Sequence, residues 1–285
     1  MKVSNNLNLP MAFVNAVSVE RHNKPNCYSA TTLNKGAKET ILQERHWDSL
    51  EVDASDSVWA VFGTAVHAIL ENSKDDNFHE EKFSVEVSES TVTGIVDSFD
   101  LENGIINDWK TASVYKVMSG DFTDWYNQGM TYAFLLKKSG LEVKRCRFVA
   151  MLKDFSKTKS RITANYPTAP VYIYQFDVTE KMLEEAEKRI VAKVKELESY
   201  KNLSDDEIPP CSKSERWTQD EKWAVMKEGR KTAVRLFDNE TDAENLAKEL
   251  GKGHSVEYRR GVDRKCEEYC VCCEHCNYYK QTHGF

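Results

Sequence analysis

Residues Thr91 to Ala112 read TVTGIVDSFDLENGIINDWKTA and carry two β-strand patterns around a turn. Val92 to Asp100 and Ile105 to Lys110 are β-branched or alternating runs, which are typical of strands. Asn103-Gly104 between them is a dipeptide that tolerates the positive φ of a tight turn. We therefore predict a β-hairpin, and the alternating run over 82–87 predicts a third strand that precedes it in a meander.

Two acids and a lysine of this hairpin share one face. Asp108 and Lys110 are two residues apart on a strand and therefore point the same way. A two-residue turn would place Asp97 opposite Lys110, and a four-residue turn would place it opposite Asp108; a three-residue loop would break this arrangement. These charged groups are costly to desolvate unless they pair or bind a cation. An exposed sheet face with an ordinary salt bridge would give the same pattern.

The stretch WAVFGTAVHAILEN, Trp59 to Asn72, has apolar residues at helical spacing. Its expected buried stripe consists of Val66, Ile69 and Leu70. His67 and Glu71 are four residues apart and lie on one face. A single histidine on a helix is more often a packing residue than a ligand, unless a neighbouring group needs one.

Further elements follow the hairpin. Gln128 and Tyr132 share a face of a predicted helix that ends near Gly140. The predicted elements of this part are a helix over 124–138, strands over 145–153 and 171–178, and a long charged helix over 179–203. The run SDDEIPP, 204–210, predicts a linker, and the block after it predicts a small lobe with a hairpin over 223–237, a helix over 241–250 and a strand over 255–259.

The composition is that of a globular protein with one good core and one smaller lobe. The 285 residues are 40% hydrophobic and 30% charged. No apolar run approaches the ~20 residues of a membrane span, and no secretory signal pattern opens the chain. We therefore expect a cytoplasmic protein, in a bacterial cell or a phage-infected host, without a membrane partner.

The net charge of −7 means that nucleic-acid binding would need a local basic patch. Residues 144–161 are a candidate for such a patch, with seven lysines and arginines against one acid, Asp154, and with Glu142 just before the segment; a solvated loop is the alternative interpretation. Five of the eight cysteines crowd into Cys266 to Cys276. In a reducing compartment this crowding indicates metal binding and not a disulfide framework.

Four short motifs occur in a fixed order along the chain: G-x-x-x-H, G-x-x-D, D-x-K and Q-x-x-x-Y. They are Gly63 to His67, Gly94 to Asp97, Asp108 to Lys110, and Gln128 to Tyr132. This order, in a helix-strand-strand-helix context, resembles the RecB-like branch of the PD-(D/E)XK nuclease superfamily over about residues 29–200. The resemblance is greatest to nucleases encoded by phages and prophages and to the nuclease component of CRISPR adaptation.

The resemblance implies an active site that binds Mg²⁺ or Mn²⁺. By analogy, Asp97 and Asp108 would hold the metal, with His67 and the Trp109 carbonyl as further ligands. Lys110 would orient or help to deprotonate the attacking water and would stabilise charge on the phosphate. Gln128 and Tyr132 would position the DNA strand. The resemblance leaves two interpretations of Glu71, which is either an outer partner of His67 or a solvated carboxylate.

The resemblance also implies a four-thiolate site that holds an iron-sulfur cluster or Zn²⁺. The expected ligands are Cys211, Cys266, Cys270 and Cys276. Cys272 or Cys273 could replace a neighbour. Relatives place the first cysteine ahead of the histidine motif, a position that Cys27 occupies here, although Cys211 is the preferred candidate.

The predicted fold is α/β, with a restriction-endonuclease-like mixed sheet, flanking helices, a small α+β insertion and a cysteine-rich metal site near the C-terminus. The predicted domains are a nuclease core over 1–205, an inserted lobe over 206–265 and a cysteine-rich tail over 266–285. The expected function is a metal-dependent deoxyribonuclease, an exonuclease of phage recombination or replication. The expected partners are DNA, as single strands or duplex ends, and a single-strand annealing protein or further copies of the chain. A CRISPR-adaptation nuclease and a catalytically inactive DNA-binding protein of the same fold are the alternatives, and a metal-thiolate structural module is the least favoured one.

Overall fold

A computed structural model of the chain describes residues 1–18, 24–73, 75 and 77–284. The chain forms two compact units, Met1–Leu203 and Ser204–Phe285. The strands of the first unit are β1 (Lys2–Ser4), β2 (Cys27–Ser29), β3 (Glu51–Asp53), β4 (Phe78–Val87), β5 (Ser90–Asp100), β6 (Ile105–Ala112), β7 (Arg145–Leu152) and β8 (Val171–Asp177). Its helices are α1 (Met11–Val17), α2 (Ala37–Arg45), α3 (Val58–Glu71), α4 (Val114–Ser119), α5 (Thr123–Lys138), α6 (Lys159–Ile162) and α7 (Glu180–Tyr200).

A mixed sheet forms the centre of the first unit. Its strand order is β2-β5-β6-β7-β8, and β4 also pairs with β5. The ladders of β5 with β4 and with β6 are antiparallel, which confirms the predicted three-strand meander. The β6–β7 ladder is parallel and the β7–β8 ladder is antiparallel. The predicted central mixed sheet with flanking helices is therefore confirmed.

The β5–β6 turn fixes the register of the predicted acids. Asp100 pairs with Ile105 and Ser98 pairs with Asn107, so the turn has four residues. Gly104 supplies the left-handed position with φ of 66°. Continued by one step, this register places Asp97 opposite Asp108, as the four-residue alternative predicts.

The sheet opens beside Asp97. One edge of β5 pairs with β4 along most of its length. On the other edge, 91–93 pair with β2 and 98–100 pair with β6, so 94–97 lie between the two ladders. Polar side chains and backbone groups in this interval are free to interact with groups outside the ladder.

Helix α5 packs closely on the face of the sheet that carries Asp108 and Lys110. A Cβ atom at Gly94 would lie 2.8 Å from Tyr132 Cδ1 and from Leu135 Cδ1 of α5. No real Cβ atom is found so close to a neighbour, so only glycine permits this approach of β5 and α5. The glycine of the G-x-x-D motif therefore has a packing role, because it seats α5 over the meander.

Helix α3 does not bury the stripe expected from its sequence. Among its residues, all of which the structure describes, none is fully buried, and Ile69 is 69% exposed. Val66 and Leu70 are half-buried. The prediction of a buried stripe is therefore wrong. The reason is that this helix is apolar on nearly every side, so periodicity could not indicate the side that faces the protein.

The second unit contains a small antiparallel sheet covered by a helix. Its strands are β9 (Thr218–Gln219), β10 (Lys222–Lys227), β11 (Arg235–Phe237), β12 (His254–Arg259) and β13 (Val262–Asp263), and its helices are α8 (Glu240–Leu250), α9 (Arg264–Glu268) and α10 (Asn277–His283). The strand order is β11-β10-β12, and α8 packs on this sheet. The separate tail over 266–285 stays a prediction. Within the part of the chain that the structure describes, no helix has both the length and the apolar character needed to cross a lipid bilayer.

Candidate active site

Asp97 bridges the opening between β5 and β6. Its Oδ2 atom accepts a hydrogen bond of 2.8 Å from the backbone N–H of Trp109. The carboxylate is 7% exposed, so this bond forms in a largely desolvated environment. Burial alone would raise the pKa of Asp97, but the contacts with His67 and with the Trp109 N–H hold it below its usual range.

His67 approaches the same two residues from α3. Its Nε2 atom lies 3.0 Å from the Trp109 carbonyl oxygen, and its Nδ1 atom lies 3.5 Å from Asp97 Oδ1. The neighbouring Asp97 carboxylate raises the pKa of His67 to about 9 against the opposing effect of burial. The structure thus brings the G-x-x-x-H, G-x-x-D and D-x-K motifs together at one point.

Lys110 belongs to a chain of polar contacts that runs into α5. Its ammonium donates to Asp108 Oδ2 at 2.8 Å and to Gln128 Oε1 at 3.0 Å. Gln128 in turn donates from Nε2 to the Tyr132 hydroxyl at 2.7 Å. Tyr132 is buried, and its burial raises the pKa of its hydroxyl above the ordinary value. These contacts hold the Lys110 ammonium in one position.

Asp108 is the most deeply buried acid of the site. It is 1% exposed, and desolvation raises its pKa although the Lys110 ammonium opposes the shift. Its Oδ1 atom is buried and makes no hydrogen bond, although it lies 2.6 Å from Lys110 Nζ. Both oxygens of this carboxylate therefore contact the Lys110 ammonium, which supplies its nearest positive charge.

The structure adds Glu80, which the sequence analysis did not single out. The β4–β5 ladder pairs His79 with Ser98 and Glu81 with Val96, so Glu80 lies opposite Asp97 where the ladder is interrupted. Its φ of 51° lies in the left-handed region, which is uncommon for a residue other than glycine. Burial and the nearby Asp97 carboxylate raise the pKa of Glu80. This conformation directs the glutamate toward His67, whose Nδ1 lies 3.7 Å from Glu80 Oε1.

One sequence signal could have identified Glu80. A two-residue turn at Ser88-Glu89, as the structure has it, places residue 80 opposite Asp97 by counting along the strands. The predicted strand began only at residue 82, whereas β4 begins at Phe78. Glu71, the other acid near His67, is exposed at the end of α3.

The donor atoms at this point suit a divalent cation. One ligand atom each of His67, Glu80 and Asp97 lie within 4.8 Å of one another. Carboxylate oxygens suit Mg²⁺, and the added imidazole suits Mn²⁺. These three residues fit the cation that the sequence resemblance implies.

The second unit brings the predicted cysteine ligands near one another. Burial raises the pKa of Cys266 to about 12, and its neighbours Cys270, Cys211 and Cys276 contribute to this rise. Cys272 is fully buried, with its Sγ 3.6 Å from that of Cys270. The choice among Cys270, Cys272 and Cys273 therefore stays open. A further candidate, Cys27, lies in β2 of the first unit.

No family model and no curated protein matches the chain. Solved structures that match include the protein SSO0001, with a TM-score of 0.46 and 13% identity over 68% of this chain and 87% of that chain. They also include an alkaline exonuclease from Laribacter hongkongensis, with a TM-score of 0.39 and 12% identity over 61% of this chain and 89% of that chain. A phage-related exonuclease from Haemophilus somnus 129PT has a TM-score of 0.37 and 11% identity over 59% of this chain and 92% of that chain. Two of these three solved structures are of exonucleases.

Proposed function

We propose that this chain is a metal-dependent deoxyribonuclease, an exonuclease that hydrolyses phosphodiester bonds of DNA in phage recombination or replication. The observation that carries the proposal is the convergence of His67 and Asp97 on the two backbone groups of Trp109. Three motifs that are distant in sequence supply this arrangement, and Lys110 lies one residue beyond it. An ordinary surface salt bridge would not require the imidazole, the buried acids and the fixed ammonium to meet.

The residues that would hold the cation are His67, Asp97 and Asp108, with the Trp109 carbonyl, and Glu80 adds a further carboxylate. A bound Mg²⁺ or Mn²⁺ would supply positive charge at the scissile phosphate and would lower the pKa of a bound water. The buried acids fit this role because, without a cation, their charges are poorly solvated. The partly strained Glu80 backbone fits it as well, because strain of this kind collects at functional sites.

Lys110 would act on the water and on the phosphate. Its ammonium is held between Asp108 and Gln128 before the substrate binds, so binding costs little further conformational entropy of this side chain. A fixed positive charge at this point orients the attacking water and stabilises the negative charge that develops on the phosphate oxygens. Tyr132 is buried and accepts a hydrogen bond from Gln128. We therefore assign both residues to the positioning of Lys110, in place of the contact with the DNA strand that the resemblance implies.

The cysteines of the second unit would form a separate metal site with a structural role. Cys211, Cys266, Cys270 and Cys276 would bind either an iron-sulfur cluster or Zn²⁺ as thiolates. The grouping of the half-buried Cys266 thiol with those of Cys270, Cys211 and Cys276 supports this assignment, because several thiolates this close together need a cation to offset their charges.

The test is a nuclease assay on end-labelled single- and double-stranded DNA with Mg²⁺ or Mn²⁺. The wild-type protein should degrade DNA, and Asp108→Ala should lose cleavage while it retains DNA binding. Wild-type protein that binds DNA tightly and never cleaves it would replace the proposal with the inactive DNA-binding protein. Normal cleavage by Asp108→Ala would remove Asp108 from the active site.

A further inference from the structure

An uncovered aromatic surface lies on the helix that carries His67. Trp59 and Phe62 of α3 are 53% and 46% exposed, with ring centroids 6.3 Å apart in an edge-to-face arrangement. Two large rings grouped on a protein surface are unusual, and such patches mark interaction sites.

This surface adjoins β6, the strand that carries Asp108 and Lys110. A Cβ atom at Gly63, next to Phe62, would lie 3.5 Å from Thr111 Oγ1, and Thr111 directly follows Lys110. The backbone N–H of Lys153 donates to the Ala112 carbonyl at 3.0 Å. Since a strand advances about 3.3 Å per residue, the surface begins roughly 7 Å from Lys110 along β6.

A cation accompanies the rings. Lys153 Nζ lies 3.8 Å from the centre of the Trp59 ring, which is a close cation–π contact. Beyond it, the chain continues with Lys157, Lys159 and Arg161. Within the ranges that the structure describes, these three side chains form no ion pair, and Asp154 instead accepts the Val114 N–H.

Two cations at the other end of the basic segment 144–161 have acidic partners. Arg145 pairs with Asp177 on β8, and Lys144 lies 3.8 Å from Glu142. Arg147 donates to Gln175, a neutral amide that leaves the arginine charge in place. Within the described residues, Lys153 and the three cations that follow it in the chain have no ion pair, and Lys153 is the one that contacts Trp59.

We propose that Trp59 and Phe62 stack the bases of a single DNA strand, whose phosphates contact Lys153 and the cations that follow it. The proposal rests on the nuclease function and names its substrate class as single-stranded DNA or an unpaired end. Exposed aromatic rings beside a basic track are the means by which proteins hold single strands, because each base offers a flat face. Paired bases in a duplex are already stacked and do not offer that face.

The positive charge favours a nucleic acid over a second protein chain as the occupant. A protein that covered Trp59 with an apolar surface would have to desolvate the Lys153 ammonium, which is costly without a partner charge. A DNA strand brings phosphates that neutralise this charge and release counterions.

The experiment compares two labelled oligonucleotides in EDTA, where cleavage is blocked. One is oligo-dT, and the other has the same length and abasic sites in place of the bases. Trp59→Ala should weaken oligo-dT binding roughly 5- to 100-fold and leave abasic binding within about twofold, because one base-stacking contact is lost. Trp59→Phe retains a ring and should bind oligo-dT nearly as the wild type does.

Two further variants control the comparison. Leu101→Ala removes an equally exposed apolar side chain at the β5–β6 turn and should change neither affinity. Lys153→Gln should weaken both oligonucleotides and reduce the salt dependence of binding, because it removes a phosphate contact. Equal loss for both oligonucleotides in Trp59→Ala, or no loss for either, would overturn the stacking platform. The proposal would also fail if Trp59→Ala sedimented as a monomer, the wild type sedimented as an oligomer, and both bound oligo-dT equally. Trp59 would then contact another copy of the chain and not DNA.

A separate assay keeps the platform distinct from the nuclease proposal. Mn²⁺-dependent hydrolysis of bis(p-nitrophenyl) phosphate by the wild-type protein tests the nuclease site without DNA, because this substrate contains a phosphodiester and no base. If the wild-type protein shows neither this hydrolysis nor DNA cleavage, the nuclease function fails whatever the binding data show. If hydrolysis proceeds and the oligonucleotide comparison fails, only the platform is wrong.

Discussion

Trp109 is bound at both ends of its backbone: its N–H donates to Asp97 at 2.8 Å, and its carbonyl oxygen lies 3.0 Å from the His67 imidazole. The peptide between Asp108 and Lys110 is thereby fixed relative to β5 and α3. Since the side chains of Asp108 and Lys110 flank this residue, their positions depend on both contacts. The middle residue of the D-x-K motif therefore contributes through its backbone N–H and carbonyl groups, and these contacts do not involve the tryptophan ring.

Replacement of Glu80 should separate stability from cation binding. Glu80→Gly removes left-handed strain of about 1–3 kcal/mol, which exceeds the roughly 0.5–1 kcal/mol that glycine costs a strand. We expect a Tm in EDTA that is equal to or higher than that of the wild type, together with weaker Mn²⁺ binding by calorimetry.

Glu80→Gln is the matched control, because it retains the strained backbone and loses only the charge. It should weaken Mn²⁺ binding. Its Tm should rise only slightly, because the substitution removes the repulsion between Glu80 and Asp97 but keeps the strained backbone. Unchanged Mn²⁺ affinity in both variants would show that Glu80 is not a ligand.

Substitution of Gly94 should disturb the active site through packing. Gly94→Ala would bring a Cβ atom 2.8 Å from Tyr132 and Leu135, so we expect a loss of about 1–3 kcal/mol in the free energy of unfolding, measured with urea. The displaced Tyr132 should also release Gln128 and lower the cleavage rate.

Gly63→Ala serves as the comparison, because its Cβ atom would make an ordinary contact of 3.5 Å with Thr111. It should leave stability unchanged or improved, since alanine favours a helix. Equal stability of the two alanine variants would contradict the close packing of α5 on β5.

The second unit should lose stability in acid through Asp263. Burial alone would raise the pKa of Asp263, but bonds from Thr218, Tyr278 and Arg216 hold it below its usual range. A carboxyl group with a lowered folded-state pKa stabilises the fold at neutral pH, and this contribution is lost as the pH falls below about 4 through the folded-state value.

Asp263→Asn should therefore lower the Tm at pH 7 and make the Tm fall less steeply as the pH is lowered. Thermal unfolding at several pH values measures both effects. Asp220→Asn is the control, because this acid and its partner Lys213 are both exposed, and exposed ion pairs contribute little to stability. An acid profile of Asp263→Asn identical to that of the wild type would exclude Asp263 as a source of the pH dependence.

The cysteine assignment predicts which thiols hold metal. Cys266→Ser should lower the iron or zinc content of the purified protein and destabilise the second unit, because a closed thiolate site loses a ligand. Cys27→Ser should leave the metal content unchanged. Loss of metal in Cys27→Ser would move the first ligand from Cys211 to Cys27, and full metal content in Cys266→Ser would exclude Cys266.

Much of the meander and its acids could be predicted from the sequence. The period of two along a strand and the Asn103-Gly104 turn place Asp97 on the face of Asp108 and Lys110 for two of the three turn lengths. Only the structure decides for the four-residue turn. The motif order also predicted that His67 approaches this point from a helix.

Two features could not be predicted from local patterns. Glu80 adopts a left-handed conformation, which breaks the alternation by which a strand is identified. The side of α3 that faces the protein is set by its contact with β6, and a helix that is apolar on nearly every side carries no sign of that contact. Both features depend on neighbouring elements more than on the residues themselves.

The central claim is that a cation held by His67, Asp97 and Asp108 drives DNA hydrolysis. The most direct test titrates Mn²⁺ into the wild type and Asp97→Asn and measures binding and DNA cleavage on the same samples. Asparagine can still accept the Trp109 N–H, so the fold should persist. We predict that wild-type cleavage and Mn²⁺ binding reach half-saturation at the same Mn²⁺ concentration, and that both are lost in Asp97→Asn. Cleavage that persists in Asp97→Asn, or that proceeds in EDTA, would contradict the claim.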